Sequence, residues 1–207
     1  MIVAVDGTGV SDDGKYSAEM AGSFCTQLAS GATYHRGPSL AGRETHSLAL
    51  WAAQAVLAQG GKAQLAGYSR GGCAAIIACR LLAAKGVRVD SLFLFDAVDM
   101  QMSEAHLNRT IQNVDFVAHA RSARDASFWL HNPVKSRFYF YNTGVAVAAG
   151  GQYVEKAFTG THAALGGTPW VDIDNDDTCA ASVASWMNGQ LSARGVSTQL
   201  QVLGRSV

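Results

Sequence analysis

Ala63-Gln64-Leu65-Ala66-Gly67-Tyr68-Ser69-Arg70-Gly71-Gly72-Cys73-Ala74-Ala75-Ile76-Ile77-Ala78-Cys79 reads as a strand, a sharp turn and the start of a helix. Ala63 to Tyr68 is a short, mostly apolar run of strand length. Gly71 to Lys85 is rich in small and apolar residues and meets a stop at Gly86, as a buried helix does. Between them lies Gly67-Tyr68-Ser69-Arg70-Gly71, a serine with a glycine two residues before it and two after. In such a turn the serine takes strained dihedrals, and the glycines avoid the clashes of a tight bend. A serine hydroxyl attacks only when geometry presents it and a base removes its proton. A bare Gly-x-Ser-x-Gly arises by chance in a chain with 22 glycines. The flanking strand and helix favour Ser69 as a candidate nucleophile, with a structural glycine turn as the alternative.

The pattern repeats outward from the turn. Ile2 to Val5 is apolar and breaks at Asp6-Gly7-Thr8-Gly9, as a buried strand entering a loop does. A helix is predicted over Tyr16 to Leu28, and a short strand over Ala32 to His35, closed by Gly37-Pro38. Leu48, Trp51, Ala52 and Ala55 share one face of a helix that stops at Gly60-Gly61. Val87 to Phe95 carries the continuous apolar run Leu92-Phe93-Leu94-Phe95, typical of a strand covered on both faces. Phe116-Val117 and Phe138 to Tyr141 read as further strands. Asp176-Asp177-Thr178 offers caps and first-turn acids to a last helix, with Val183, Trp186, Met187 and Leu191 facing the core and Gly195 ending it. Strands alternating with helices predict an α/β fold, a mostly parallel sheet with helices on both faces. With no internal repeat and no linker, residues 1–207 are expected to form one domain.

Composition narrows the function classes. The chain has 207 residues, 48% hydrophobic and 15% charged, with formal charge zero. That suits one well-buried core, and the lack of any basic run argues against a nucleic-acid partner. Cys25, Cys73, Cys79 and Cys179 lie far apart, without metal-ligand spacing, and are expected to be free buried thiols. Met1 to Val5 is too short for a signal-peptide core, and no apolar stretch approaches the ~20 residues that cross a bilayer. The expectation is a cytoplasmic protein without a transmembrane segment, with signal-less export left open and the oligomeric state unread.

Sheets that use this serine turn carry their acid and base later in the chain, in the order Ser, Asp or Glu, His. Asp96 follows Leu92–Phe95 directly, at a strand end where loops build a site, and Asp99 is its rival. On pattern alone both stay open. Of six histidines, His35 and His46 precede the serine and His106 follows Asp96 too closely. His131 also follows the serine and the acid. His162, in the small-residue loop Phe158-Thr159-Gly160-Thr161-His162-Ala163-Ala164-Leu165-Gly166-Gly167, suits a base that must turn between nucleophile and leaving group, and His119 is the reserve. The amide of Arg70, at the helix start after Ser69, faces the position of a developing oxyanion. A second donor is expected after an early strand, where Gly7 and Thr8 are candidates and an ordinary turn is the equal alternative.

These segments together resemble a known family. Gly67-Tyr68-Ser69-Arg70-Gly71 is similar to the GxSRG elbow of the lipase effectors of bacterial type VI secretion and their α/β-hydrolase relatives. Val3 to Thr8 resembles that family's opening strand and Asp-Gly-Thr loop, and Phe95-Asp96-Ala97-Val98 its acid segment. Gly160-Thr161-His162 with Gly166-Gly167 resembles its base loop, and Ser185-Trp186-Met187 the helix that follows. The resemblance implies an α/β-hydrolase fold. It also implies a serine hydrolase of carboxylic esters, lipid or small and soluble, with Ser69 as nucleophile, Asp96 as orienting acid and His162 as base. Such acyl transfer through an acyl-serine needs no metal or organic cofactor. A thioesterase for small acyl substrates and a non-catalytic binding module are the alternatives. Ala164 stands where that family has an aspartate two residues after the base. The chain has no room for the inserted membrane-engaging regions of larger members, so little or no lid is expected.

The remaining signals are weaker. Asp172, Asp174 and Asp176 alternate as in a calcium loop, but the glycine and glutamate such a loop requires are missing, and helix capping explains them better. Arg70 suits either a substrate anion or a lock on the elbow. Phe128-Trp129-Leu130 suits either an acyl pocket or, more simply, a core contact.

Overall fold

Among the described residues, six short strands pair into one sheet in the order β2-β1-β3-β4-β5-β6, every pairing parallel. The structure is a computed structural model and describes residues 1–41, 43–100, 110–123, 143–169 and 175–203. The strands are β1 (Ile2–Val5), β2 (Tyr34–His35), β3 (Gln64–Tyr68), β4 (Val89–Phe95), β5 (Val114–Ser122) and β6 (Gln152–Phe158). The helices are α1 (Asp13–Met20), α2 (Phe24–Leu28), α3 (Thr45–Gln59), α4 (Arg70–Ala83), α5 (His162–Leu165) and α6 (Asp176–Ala193).

Period-two alternation along the strands divides the core between the faces of the sheet. Val3, Val5, Leu65, Leu92, Leu94 and Val117 pack with α3 and α4. Ile2, Ala4, Tyr68, Phe93, Phe95 and Phe116 pack with α2 and α6. β4 needs apolar side chains in both directions, which is why Leu92 to Phe95 is unbroken by a polar residue and wholly buried.

Register brings the strand ends level. Val5 lies opposite Gly67, Tyr68 opposite Phe95, and Phe95 opposite Ala120. Because the strands run parallel, Asp6, Ser69 and Asp96 all leave the sheet at its C-terminal edge. A strand, a serine turn and a buried helix at that edge of a parallel sheet are the arrangement of the α/β-hydrolase fold.

Several elements differ from the expectations. The helix predicted over Tyr16 to Leu28 is two helices, because Ser23 leaves the helical path and caps α2 by accepting from the Thr26 amide. The strand predicted from Ala32 shrinks to Tyr34–His35 behind a 3-10 turn at Gly31–Thr33. β5 extends well beyond Phe116-Val117. β6 was not foreseen: among the described residues it pairs only with β5, and with Gln152, Glu155 and Lys156 exposed it lacks the apolar run of a central strand. In α6, Val183, Met187 and Leu191 are buried as expected, with Trp186 packed edge-on against Phe158. The predicted strand at 138–141, the apolar cluster at 128–130, His106, His131, Asp172 and Asp174 lie outside the described residues. So do segments 101–109 and 124–142, on which the expectation about a lid bears.

Candidate active site

The turn between β3 and α4 holds Ser69 at φ 56°, ψ −129°, a region that an ordinary L residue avoids. Backbone bonds hold the serine there. Its amide donates to the Phe95 carbonyl at 3.0 Å, and its carbonyl accepts from Gly72 at 3.0 Å and Val98 at 3.1 Å. The glycines are required by close approach: a Cβ on Gly71 would lie 2.2 Å from the Asp6 carbonyl oxygen, and one on Gly67 2.6 Å from that of Gly71. Asp96, directly after β4, is also at positive φ (43°), and its amide donates to Ala120 at 2.7 Å.

His162 opens α5, which Thr161 caps by accepting from the Ala164 amide at 3.2 Å. The structure joins Ser69, His162 and Asp96 in one hydrogen-bonded chain. His162 Nε2 lies 2.8 Å from Ser69 Oγ, and Nδ1 lies 2.7 Å from Asp96 Oδ2. With Asp96 wholly buried, its carboxylate makes Nδ1 the protonated nitrogen and leaves the Nε2 lone pair to the hydroxyl. Asp96 Oδ1 accepts from the Ser122 amide at 3.1 Å. Asp99 is buried as well, but the carboxylate that reaches His162 is that of Asp96. The reserve base, His119, is placed elsewhere. It is wholly buried, with Nε2 accepting from the Ala97 amide and Nδ1 beside the Gly144 carbonyl, both at 3.1 Å. It supports the backbone after Asp96.

The oxyanion candidates part company. The Arg70 amide opens α4, where helix N–H groups lack intrahelical partners. In the first loop, the Gly7 amide is turned back onto its neighbour's carboxylate and donates to Asp6 Oδ1 at 2.8 Å. Asp6 and Gly9 donate to His35 and Pro38 carbonyls, so within Asp6-Gly7-Thr8-Gly9 the Thr8 amide is the one with no acceptor among the described residues. The loop lies against the nucleophile, since a Cβ on Gly7 would come within 3.3 Å of Ser69 Cβ. Asp6 is wholly buried; its Oδ2 also accepts from the Ser23 and Tyr34 hydroxyls, the latter at 3.1 Å. Burial pushes its carboxyl up to about 6, against the pull of those donors. Tyr16 braces the same loop, donating to the Gly7 carbonyl and accepting from the Gly37 amide, both at 2.7 Å.

The Arg70 guanidinium is buried and donates to the Leu40 carbonyl at 3.2 Å, which ties the elbow to the loop before α3. Burial lowers its pKa, partly offset by Glu44. Asp176 is a first-turn acid of α6, as expected, but not its cap. Asn175, in the left-handed region, holds the cap position, and Asp176 turns inward to accept from Thr161. The supports Ser122, Thr161, Asp176 and the Tyr68 hydroxyl, which donates to the His162 carbonyl at 3.1 Å, were not found by sequence reasoning. Only Thr161 left a readable signal, a hydroxyl residue just before a helical stretch. Among the described residues no helix is long and apolar enough to cross a membrane, and no three His, Cys, Asp or Glu side chains group as metal ligands do.

No curated protein matches the sequence. Among solved structures, the Vlm2 thioesterase domain, carrying genetically encoded 2,3-diaminopropionic acid and bound with a dodecadepsipeptide, is 10% identical, covers 78% of this chain and 86% of its own, and has a TM-score of 0.41. The RedJ thioesterase of the prodiginine pathway of Streptomyces coelicolor is 13% identical over 80% of each chain, with a TM-score of 0.40. YbtT, a type II thioesterase of the yersiniabactin NRPS/PKS pathway, is 10% identical over 91% of each, with a TM-score of 0.39. The thioesterase-domain family profile matches residues 16–132, more than half of the chain, and takes in Ser69 and Asp96, while His162 lies beyond it. By that match the chain belongs to the thioesterase-domain family.

Proposed function

We propose that this protein is a serine hydrolase that cleaves acyl thioesters and small soluble acyl esters through an acyl-serine intermediate. The observation that carries the reading is the chain from Ser69 Oγ to His162 Nε2 at 2.8 Å and from His162 Nδ1 to Asp96 Oδ2 at 2.7 Å. His162 takes the Ser69 proton as Oγ attacks the acyl carbonyl, and Asp96 stabilises the imidazolium that forms. The carbonyl oxygen, now an oxyanion, is received by the amides of Arg70 and Thr8; one such donor is worth roughly 3–4 kcal/mol in the transition state. Collapse of the intermediate expels the thiolate or alkoxide, which leaves with the proton from His162. Water, activated by the same imidazole, then releases the acid and restores Ser69.

The thioesterase family match favours thioester and soluble acyl substrates. A phospholipid substrate rests on the motif resemblance to type VI lipase effectors alone. Replacing Ser69→Ala tests the chemistry: turnover of p-nitrophenyl esters and of acyl thioesters, followed by thiol release, is expected to fall by on the order of 10⁴-fold or more. A Ser69→Ala protein with parental rates overturns the reading. Activity that rises sharply on vesicles over monomeric substrate would move the assignment to lipids.

A further inference from the structure

We infer that Asp176 is a positioning residue for the His162 base, acting from α6 through Thr161. The inference rests on the Ser69–His162–Asp96 reading above. α5, which carries His162, is one turn of four residues, and a helix that short has no stability of its own in water. It follows β6, which among the described residues pairs only with β5. The base therefore takes its position from contacts to other elements.

Asp176 supplies the densest of these contacts. Its Oδ1 accepts from the Thr161 amide at 2.9 Å and its Oδ2 from the Thr161 hydroxyl at 2.5 Å. The same hydroxyl oxygen accepts from the Ala164 amide and so caps α5. One buried carboxylate thus grips both polar groups of the residue before the base and, through the second, the helix on which the base sits. Bonds to an ionised acceptor are shorter and stronger than neutral ones, and a hydroxyl that donates to a carboxylate becomes a better acceptor for the amide behind it. Packing agrees: a Cβ on Gly160 would lie 2.4 Å from Cys179 Sγ and 3.5 Å from Asp176 Oδ1, so the loop is seated on the first turn of α6 with no slack. Ser122 completes the coupling. Its amide holds Asp96 Oδ1 and its hydroxyl donates to the Gly160 carbonyl at 3.2 Å, which links the acid's loop to the base's.

The test compares Asp176→Ala, Asp176→Asn, Thr161→Val and Thr161→Ser with the parent, reading kcat and KM on a p-nitrophenyl ester. The downfield Nδ1 proton resonance of His162 is followed in protein labelled at histidine nitrogen. Asp176→Ala and Thr161→Val are expected to lose kcat by about ten- to a hundredfold, the scale of a small misplacement of a catalytic group, with KM near the parent value. The Nδ1 resonance should shift or broaden in both. Thr161→Ser keeps the hydroxyl and should restore the rate, and Asp176→Asn, which keeps shape without charge, should fall between. Lower melting temperatures with parental kcat and an unmoved resonance would overturn the inference and leave Asp176 a structural residue. Should Asp176→Ala fail to fold, the Thr161→Val and Thr161→Ser pair decides alone. Ser69→Ala run alongside separates the levels: if it retains turnover the triad reading itself fails, whereas an inactive Ser69→Ala beside a fully active Asp176→Ala removes only the positioning role.

Discussion

Asp6 is a carboxylate with no business in a core unless something holds it there. It is wholly buried, takes three polar donors, and its pKa is pushed up to about 6 by desolvation from a reference value of 3.8. The folded state therefore binds this proton more tightly than the unfolded chain does. The group's contribution to stability is fully present below about pH 4 and is lost as pH rises through about 6, a swing on the order of 3 kcal/mol. Asp6→Asn removes the titration. The stability of that variant relative to the parent, from urea unfolding, is expected to improve between about pH 4 and about pH 7.5; a difference that does not move with pH would refute the assignment. The carboxylate occupies the Gly7 amide and so fixes the loop lying against Ser69. Residue by residue, the sequence was legible where a pattern has a single geometric use, as at Ser69 between its glycines. It was silent where a side chain folds back on its own backbone, as at Asp6, or reaches another element, as at Asp176. Nothing in the Asp6-Gly7-Thr8 triplet distinguishes an oxyanion amide from one already occupied.

Elements were legible in proportion to how completely they are buried. β3 is wholly buried and β4 and α4 are buried over most of their length, and their apolar runs mark them to within a residue or two. β6 has Gln152, Glu155 and Lys156 exposed along it, so its sequence carries no apolar run to mark it. The join of α1 to α2 was misread because Gly22-Ser23 breaks an otherwise continuous pattern, a signal that a stricter weighting of capping residues would catch. The elbow shows how far an element's requirements differ from its composition. Gly71→Ala places a Cβ against the carbonyl oxygens of Asp6 and Val5, at 2.2 and 2.3 Å, and backbone atoms of a central strand cannot yield. Gly189→Ala, in an exposed stretch of α6, meets nothing within 4 Å. The same chemical change is thus expected to have opposite signs. Gly71→Ala should destabilise by several kcal/mol, on the scale of overpacking and strain, and abolish esterase activity. Gly189→Ala should stabilise by roughly 0.5–1 kcal/mol, a rise of about 2–3 °C in Tm. Denaturation midpoints of the two variants check both signs, and a tolerated Gly71→Ala would mean that the elbow does not approach β1 so closely.

Across the whole molecule, the site exists only because one sheet edge gathers loops from β1, β3, β4 and β6, so its integrity depends on both layers of helices that clamp the sheet. The four buried cysteines sample those layers. Cys73 and Cys79 are buried on the α3–α4 face, and Cys25 and Cys179 on the α2–α6 face. Burial drives each of three thiols away from its reactive thiolate form, Cys79 and Cys179 up to about 12 and Cys25 well above its ordinary value. Reaction with a thiol reagent near neutral pH thus requires opening of the surrounding structure, and the urea dependence of labelling reports how much surface opens. β4 contributes Leu92 and Leu94 to one face and Phe93 and Phe95 to the other, so neither layer can detach without stripping the strand that the other packs on. All four thiols are therefore expected to label with one common urea dependence, equal to that of global unfolding, when sites are resolved by mass spectrometry of the digested protein. Labelling of Cys25 and Cys179 at lower urea than Cys73 and Cys79 would show that the layer carrying α6 comes away by itself. In that event His162 would lose its seat before the nucleophile lost its strand, and activity would fall ahead of the bulk unfolding transition.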